Sequence, residues 1–354
     1  MSFPLFYFGT IVSLLALDQL RVLHPSGKSA WETFPPRDSW SKVELPTSSI
    51  RLVLFSLFVL TPLLHAWRRV VKNFFSGLAL RAAGLREGTL KHEKFVEQAW
   101  LAVHYTMVSL LGYAVLRDKP WWPPTPTKEQ ASHYGLASLE DRTKDQDEIG
   151  LQLYYATQLA FYMLELLSLL LMKERRTRSD AFVYFFHHIY TVVLLAGSWL
   201  TIEQRIGSLV LFLHDIGDIF LPIGKMFTYS EDHTKKTRSH LTYQLVQAAG
   251  IFFFVLFIIS FGIPRLYYFG GVVYRTMYDV HWTVCCGVLA NGTCGACPAP
   301  FFQASLACIL FLLWPMHVFW FYLIMRMAIK VVSGVYQDVR SDDEGEDESS
   351  KKGK

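Results

Sequence analysis

Apolar residues along this chain come in long unbroken runs, with none of the strict alternation that marks a half-buried strand. Windows near 52–67, 99–116, 151–172, 181–202, 206–224, 243–263 and 303–325 are each long enough to cross a hydrocarbon core of about 30 Å. Phe3–Leu17 is a shorter eighth candidate. Lipid offers no partner to exposed backbone amides, so runs of this kind become helices, and the missing period of two argues against a membrane β-barrel. The pattern predicts an all-α integral membrane protein with seven or eight transmembrane helices. Phe3–Leu17 lacks a basic leading region and a clear small-x-small cleavage site, so the expectation there is an uncleaved anchor or an interfacial helix.

Composition agrees. Hydrophobic residues make up 52% of the chain and charged residues 18%, where a soluble domain would carry about a quarter charged. The formal charge of +4 says little until it is placed. Lys and Arg collect in 68–94, in Lys173–Asp180 (KERRTRSD) and in 225–240, three segments separated by even numbers of spans. The positive-inside rule puts all three in the cytosol, with the C-terminus. The regions 18–49, 117–150, 203–206 and 264–302 then face the other side. The sequon Asn291-Gly292-Thr293 falls there, as a luminal site should. Four of the five cysteines, Cys285, Cys286, Cys294 and Cys297, crowd into the same connector, and an oxidising lumen favours at least one disulfide over a zinc site. Cys308 reads as packing. The chain ends Lys351-Lys352-Gly353-Lys354, whose register matches a cytosolic dilysine retrieval signal of the endoplasmic reticulum. The acidic stretch before it is too poor in apolar residues to pack.

Ionisable side chains inside spans are costly, and here they cluster. His187 and His188 lie in one span with Thr191 following; His214, Asp215 and Asp218 lie in the next, with Lys225 at its end. Asp215, Asp218, Pro222 and Lys225 recur at helical spacing, which predicts that they share one face. Glu165 and Gln158 share a side of the 151–172 span, and His104 lies in 99–116. His188 is eight residues from the start of its helix and Asp218 nine from the end of the next, about 12 and 13–14 Å deep. Antiparallel neighbours with those depths bring a histidine level with a carboxylate, an arrangement suited to general-base or nucleophilic chemistry. The plainer alternative is polar glue between helices. A metal site is not expected, because His187-His188 is the one histidine pair and no complete histidine box exists.

The ordered set Arg175-Arg176-x3-Asp180-x6-His187-His188-x2-Thr191, Ser198-Trp199, Arg205-x-Gly207, His214-Asp215-x2-Asp218 and Lys225-Met226-Phe227 resembles the signature of the ceramide synthases, within the TLC-domain superfamily. Lys94-Phe95-x-Glu97-x2-Trp100, Lys119-Pro120-Trp121 and Tyr154-Tyr155 extend the likeness across roughly 91–331. The homeobox-like insert of the animal type is absent, and the luminal cysteines and the acidic tail match no family pattern. The resemblance implies a TLC-type bundle at 91–331, preceded by an N-terminal region (1–90) and followed by an acidic cytosolic tail (332–354). It implies N-acylation of a sphingoid long-chain base by a fatty acyl-CoA in the endoplasmic-reticulum membrane. His188 would take the acyl group or act as base, Asp218 would orient it, and His187 and Asp215 would support. Arg175, Arg176, Lys225, His214, Glu165 and Trp199 are the expected substrate contacts, the basic ones meeting CoA phosphates. No cofactor is expected beyond acyl-CoA as co-substrate. Membrane lipid and a homo- or hetero-dimer are the expected partners, and nucleic acid is not. A non-catalytic lipid-sensing or lipid-transfer protein of the same fold, and a proton-coupled transporter, are the competing classes. Intact His and Asp positions speak against the first, and the absence of a visible inverted repeat against the second.

Overall fold

A computed structural model describes residues 47–122, 144–171, 181–276 and 300–333. Every regular element among them is helical. Helix α1 (Thr47–Phe55) runs through a π turn at Ser56–Leu60 into α2 (Thr61–Ala82). Helices α3 (Leu90–Leu116), α4 (Ile149–Leu171), α5 (Ala181–Leu200), α6 (Gln204–Thr237), α7 (His240–Gly262) and α8 (Pro300–Val332) follow. A second π turn, Ile263–Tyr268, prolongs α7 into a helical stretch that ends at 276. Six spans are long and apolar enough to cross a membrane, and α5, at 20 residues, is the seventh expected from the sequence. Phe3–Leu17, Arg175, Arg176, the sequon, the four clustered cysteines and the C-terminal tail lie outside the described residues.

Local chemistry accounts for where the helices begin and bend. The Thr89 hydroxyl accepts the His92 amide at the start of α3, and Ser239 does the same for Thr242 at the start of α7, satisfying donors that a first turn leaves open. Pro62 and Pro264 cannot donate a ladder bond, and each sits in or beside a π turn, where the ladder is already interrupted. The α5–α6 connection is a tight reversal. The Glu203 amide bonds the Ser198 carbonyl at 2.7 Å, and Ile202 takes a left-handed φ of 64°, unusual for a β-branched residue. That turn commits α5 and α6 to lie side by side and antiparallel.

Helix α4 is the most enclosed span, with 67% of its apolar window buried, against 11% for α7 and its continuation. The main core joins α3, α4, α5 and α6 around Trp100, Tyr154, Tyr155, Phe161, Trp199 and Phe212. A second core packs Leu213 of α6 against Phe269, Val272 and Val273 beyond the π turn and Leu310 and Leu313 of α8. Helix α6 borders both cores, so its polar residues are offered to neighbours on two sides.

One end of the bundle is closed by a latch. Trp121 is fully buried under the Arg205 guanidinium, 4.4 Å from its ring centre, and Arg205 is paired with Asp145 at 2.5 Å. Burial pushes the Asp145 carboxyl above its ordinary range, with Arg205 pulling the other way. Gly207 belongs here for a steric reason. A Cβ at that position would stand 1.8 Å from the Tyr155 hydroxyl, which crosses α6 to reach Ser198 and the Gln204 carbonyl.

Candidate active site

On a helix, successive residues point about 100° apart while residues four apart share a face. His214 and Asp218 of α6 therefore look one way and Asp215 another. Asp215 is fully buried and faces α4, where it accepts hydrogen bonds from the Tyr154 hydroxyl at 3.1 Å and from Gln158 Nε2. Tyr154, Gln158 and Tyr162 stand at i, i+4 and i+8, so α4 presents a continuous polar stripe. His188 of α5 is buried beside the last of these, with ring centres 6.0 Å apart.

On the other face, His214 Nδ1 lies 2.6 Å from the Val210 carbonyl and must donate to it. Its Nε2 is then an acceptor, and the Nε2–H of His317 on α8 donates to it across 3.0 Å. This tautomer assignment follows from the partners. One turn further along α6, Asp218 is ion-paired at 2.6 Å with Arg265 of the second π turn. The same Nη2 donates to the His214 carbonyl, also at 2.6 Å. The Asp218 side chain is 25% exposed whereas Asp215 is wholly enclosed, so Asp218 is the more accessible of the two carboxylates. Half-buried His187 sits between the two faces, 5.5 Å from the His188 ring, 6.5 Å from His317 and 5.1 Å from Trp320, centre to centre. His187 Nδ1 has no hydrogen-bond partner among the described residues.

The residues singled out in the sequence thus divide. His187, His188 and His214 gather with His317 where α5, α6 and α8 meet, whereas Asp215 turns to α4 and Asp218 to the second π turn. The ion pair that the structure gives Asp218 is with Arg265. Trp199 lies eleven residues beyond His188, about 16 Å along α5, packed on Tyr155 with its carbonyl bonded to Gln146. Glu165 belongs to a separate ionic cluster with Arg68, at 3.4 Å. Lys225 is half-buried on α6 two turns past Asp218. His104 is buried and stacked on Phe161 at 3.7 Å, away from these groups. No cluster of three or more His, Cys, Asp or Glu able to hold a metal occurs among the described residues.

Arg265 and His317 were missed. Arg265 closes an apolar window, where a charge reads as the start of a connector. The helix instead continues to 276, because Asp218 answers the charge. His317 is a single histidine in the last apolar run, with no sequence partner. The available signal was charge bookkeeping, since a carboxylate within a span calls for a cation from another span.

A helical membrane bundle with a buried histidine–carboxylate centre is the class that this geometry defines. The TLC domain family matches residues 94–326. Ceramide synthase 1 LOH3 of Arabidopsis thaliana is 31% identical over 73% of this chain and 76% of its own. Ceramide synthase LOH1 of the same plant is 31% identical over 74% and 77%, and ceramide synthase 3 of Mus musculus 29% over 71% and 56%. The chain belongs to the ceramide synthase family of TLC-domain proteins, a family of acyltransferase enzymes.

Proposed function

We propose that this protein transfers a fatty acyl group from acyl-CoA to the amine of a sphingoid long-chain base, giving ceramide or dihydroceramide, at the His187-His188 and Asp215/Asp218 centre. The observation that carries this reading is the convergence of the family's histidine pair and α6 carboxylates on one buried polar centre between apolar helices. The reaction needs such a place. The base arrives as an ammonium, which must lose a proton before its nitrogen can attack the thioester carbonyl. As the C–N bond forms, the C–S bond breaks, and CoA leaves as a thiol carrying one proton. His188 is assigned as nucleophile or general base, with Asp218 charged and reachable beside the histidine cluster.

Both acyl chains stay in apolar surroundings while the polyanionic CoA approaches from the basic side, Arg175, Arg176 and Lys225 included. The distribution of Lys and Arg supports a cytosolic C-terminus and an active site opening to the cytosol. Residence in the endoplasmic reticulum is supported by the family. Acyl-CoA is the co-substrate, and no other cofactor enters the reaction.

The test is an assay of membranes bearing the protein with labelled sphinganine and a panel of acyl-CoAs. Labelled ceramide should form with wild type and be lost with His188→Ala at unchanged protein level. Ceramide formation that survives His188→Ala would remove the assignment. A protein inactive with every acyl-CoA, yet able to bind the labelled base, would favour the lipid-sensing alternative.

A further inference from the structure

We propose that Arg265 is the positioning residue of the acyl-transfer centre: it fixes Asp218 against α6 from a π turn in a different span. The inference rests on the assignment of Asp218 made above.

Three observations place Arg265. It is 6% exposed, so its charge is held within the bundle rather than at a surface. One guanidinium nitrogen makes two bonds of 2.6 Å, to the Asp218 carboxylate and to the His214 carbonyl, which ties the side chain of one α6 residue to the backbone of another a turn before it. The Phe261 ring lies under the guanidinium, 4.7 Å from its central carbon, and limits its movement.

The backbone is arranged around this contact. Ile263–Tyr268 is a π turn carrying Pro264. The wider turn shifts the register of the following residues relative to α7, and π turns recur where a helix must present a side chain it would otherwise turn away. Helix α6 meets it with a glycine. A Cβ on Gly217 would come 3.2 Å from the Ser260 carbonyl and 3.5 Å from Arg265 Nε, so a larger residue would press the two spans apart at the height of the ion pair.

The chemistry follows from what arginine is. It carries its charge at any working pH and offers donors in a fixed planar fork. It therefore holds one Asp218 oxygen in place while the same carboxylate stays reachable. Asp215 instead takes its hydrogen bonds from the neutral Tyr154 and Gln158. Two carboxylates three residues apart are thus given different surroundings, and only one is both charge-balanced and accessible.

The experiment is a double-mutant cycle in sealed membranes with Arg265→Gln, Asp218→Asn and the pair, scoring protein level, kcat and KM for base and acyl-CoA. Arg265→Gln should lower kcat by about 10–100-fold, the range for groups that orient a functional side chain, with both KM values near wild type. If Arg265 acts through Asp218, the double variant loses no more than Asp218→Asn alone. Arg265→Lys should recover part of kcat, because a single ammonium keeps the charge but not the fork. Multiplying losses in the double variant, or a kcat unchanged in Arg265→Gln, overturns the proposal. If Arg265→Gln does not accumulate, the cycle is run with Arg265→Lys, and an unchanged kcat there has the same force. Failure of the underlying reading is separately visible: an active Asp218→Asn removes the role of Asp218 itself, whatever Arg265 does.

Discussion

Of the three arginines buried among the described residues, Arg68 and Arg265 are buried differently. Arg68 of α2 is 4% exposed and lies among acids: it pairs with Glu97 and with Glu165, and donates to Ser168. Lys72 holds the other Glu97 oxygen at 3.1 Å, so two cations and two anions close on themselves. Arg265 faces one carboxylate, which is partly accessible, in a neighbourhood of histidines. A charge-balanced network, in which Lys72 is 36% and Glu97 18% exposed, fastens α2 to α3 and α4. Arg265 is set against one ion-paired carboxylate beside imidazoles. Burial of charge alone does not distinguish the two sites; the groups that surround the charge do.

The comparison breaks first at the catalytic centre. His188→Ala and Asp218→Asn should each lower ceramide formation by about 10²–10⁴-fold, the usual worth of one acid–base group, with protein still in the membrane. Activity above about a tenth of wild type in both would put the centre elsewhere.

Arg68→Met should behave in the opposite way. Leaving Glu165 and Glu97 short of a buried partner costs about 3–5 kcal/mol, read as lower accumulation and earlier loss of detergent-solubilised protein on heating. The molecules that do fold should keep near-normal turnover. Adding Glu165→Leu should restore part of the stability, since removing both ends of a buried pair is often nearly neutral. A turnover defect in Arg68→Met that Glu165→Leu does not relieve would make the two arginines alike.

A smaller effect is expected at the latch. Gly207→Ala drives a methyl into the Tyr155 hydroxyl and should cost about 1–3 kcal/mol, as overpacking does. Trimming the obstacle with Tyr155→Phe should recover some of it. The readout is thermal inactivation, and acyl-CoA preference should not move. A changed preference would mean that the latch reaches the acyl chain.

Much of this molecule was legible in one dimension. Long apolar runs required membrane helices, because unpaired amides have no place in lipid, and the seven runs became helices, six of them, among the described residues, long and apolar enough to cross a membrane. Paired histidines in one span and His-Asp-x2-Asp in the next marked the helices that carry the candidate site, because polar groups there are costly. Helical spacing also put Asp215, Asp218, Pro222 and Lys225 on one face, whereas the packing turns Asp215 to Tyr154 and Gln158 of α4 and Asp218 to Arg265.

What the chain's order could not express is which distant group answers each charge. Arg265 is 47 residues beyond Asp218, and His317 is 103 beyond His214. An arginine at the end of an apolar window reads as an exit from the membrane, and a single histidine in an apolar run reads as packing. Only the close approach of α6 and the extended α7 at Gly217, and of α6 and α8 at His317, turns those residues into partners. Hydropathy sums along one helix, whereas the free energy of a buried charge depends on the atoms within a few ångströms of it. The sequence therefore determined which helices carry buried polar groups, and the packing decided which residues meet them.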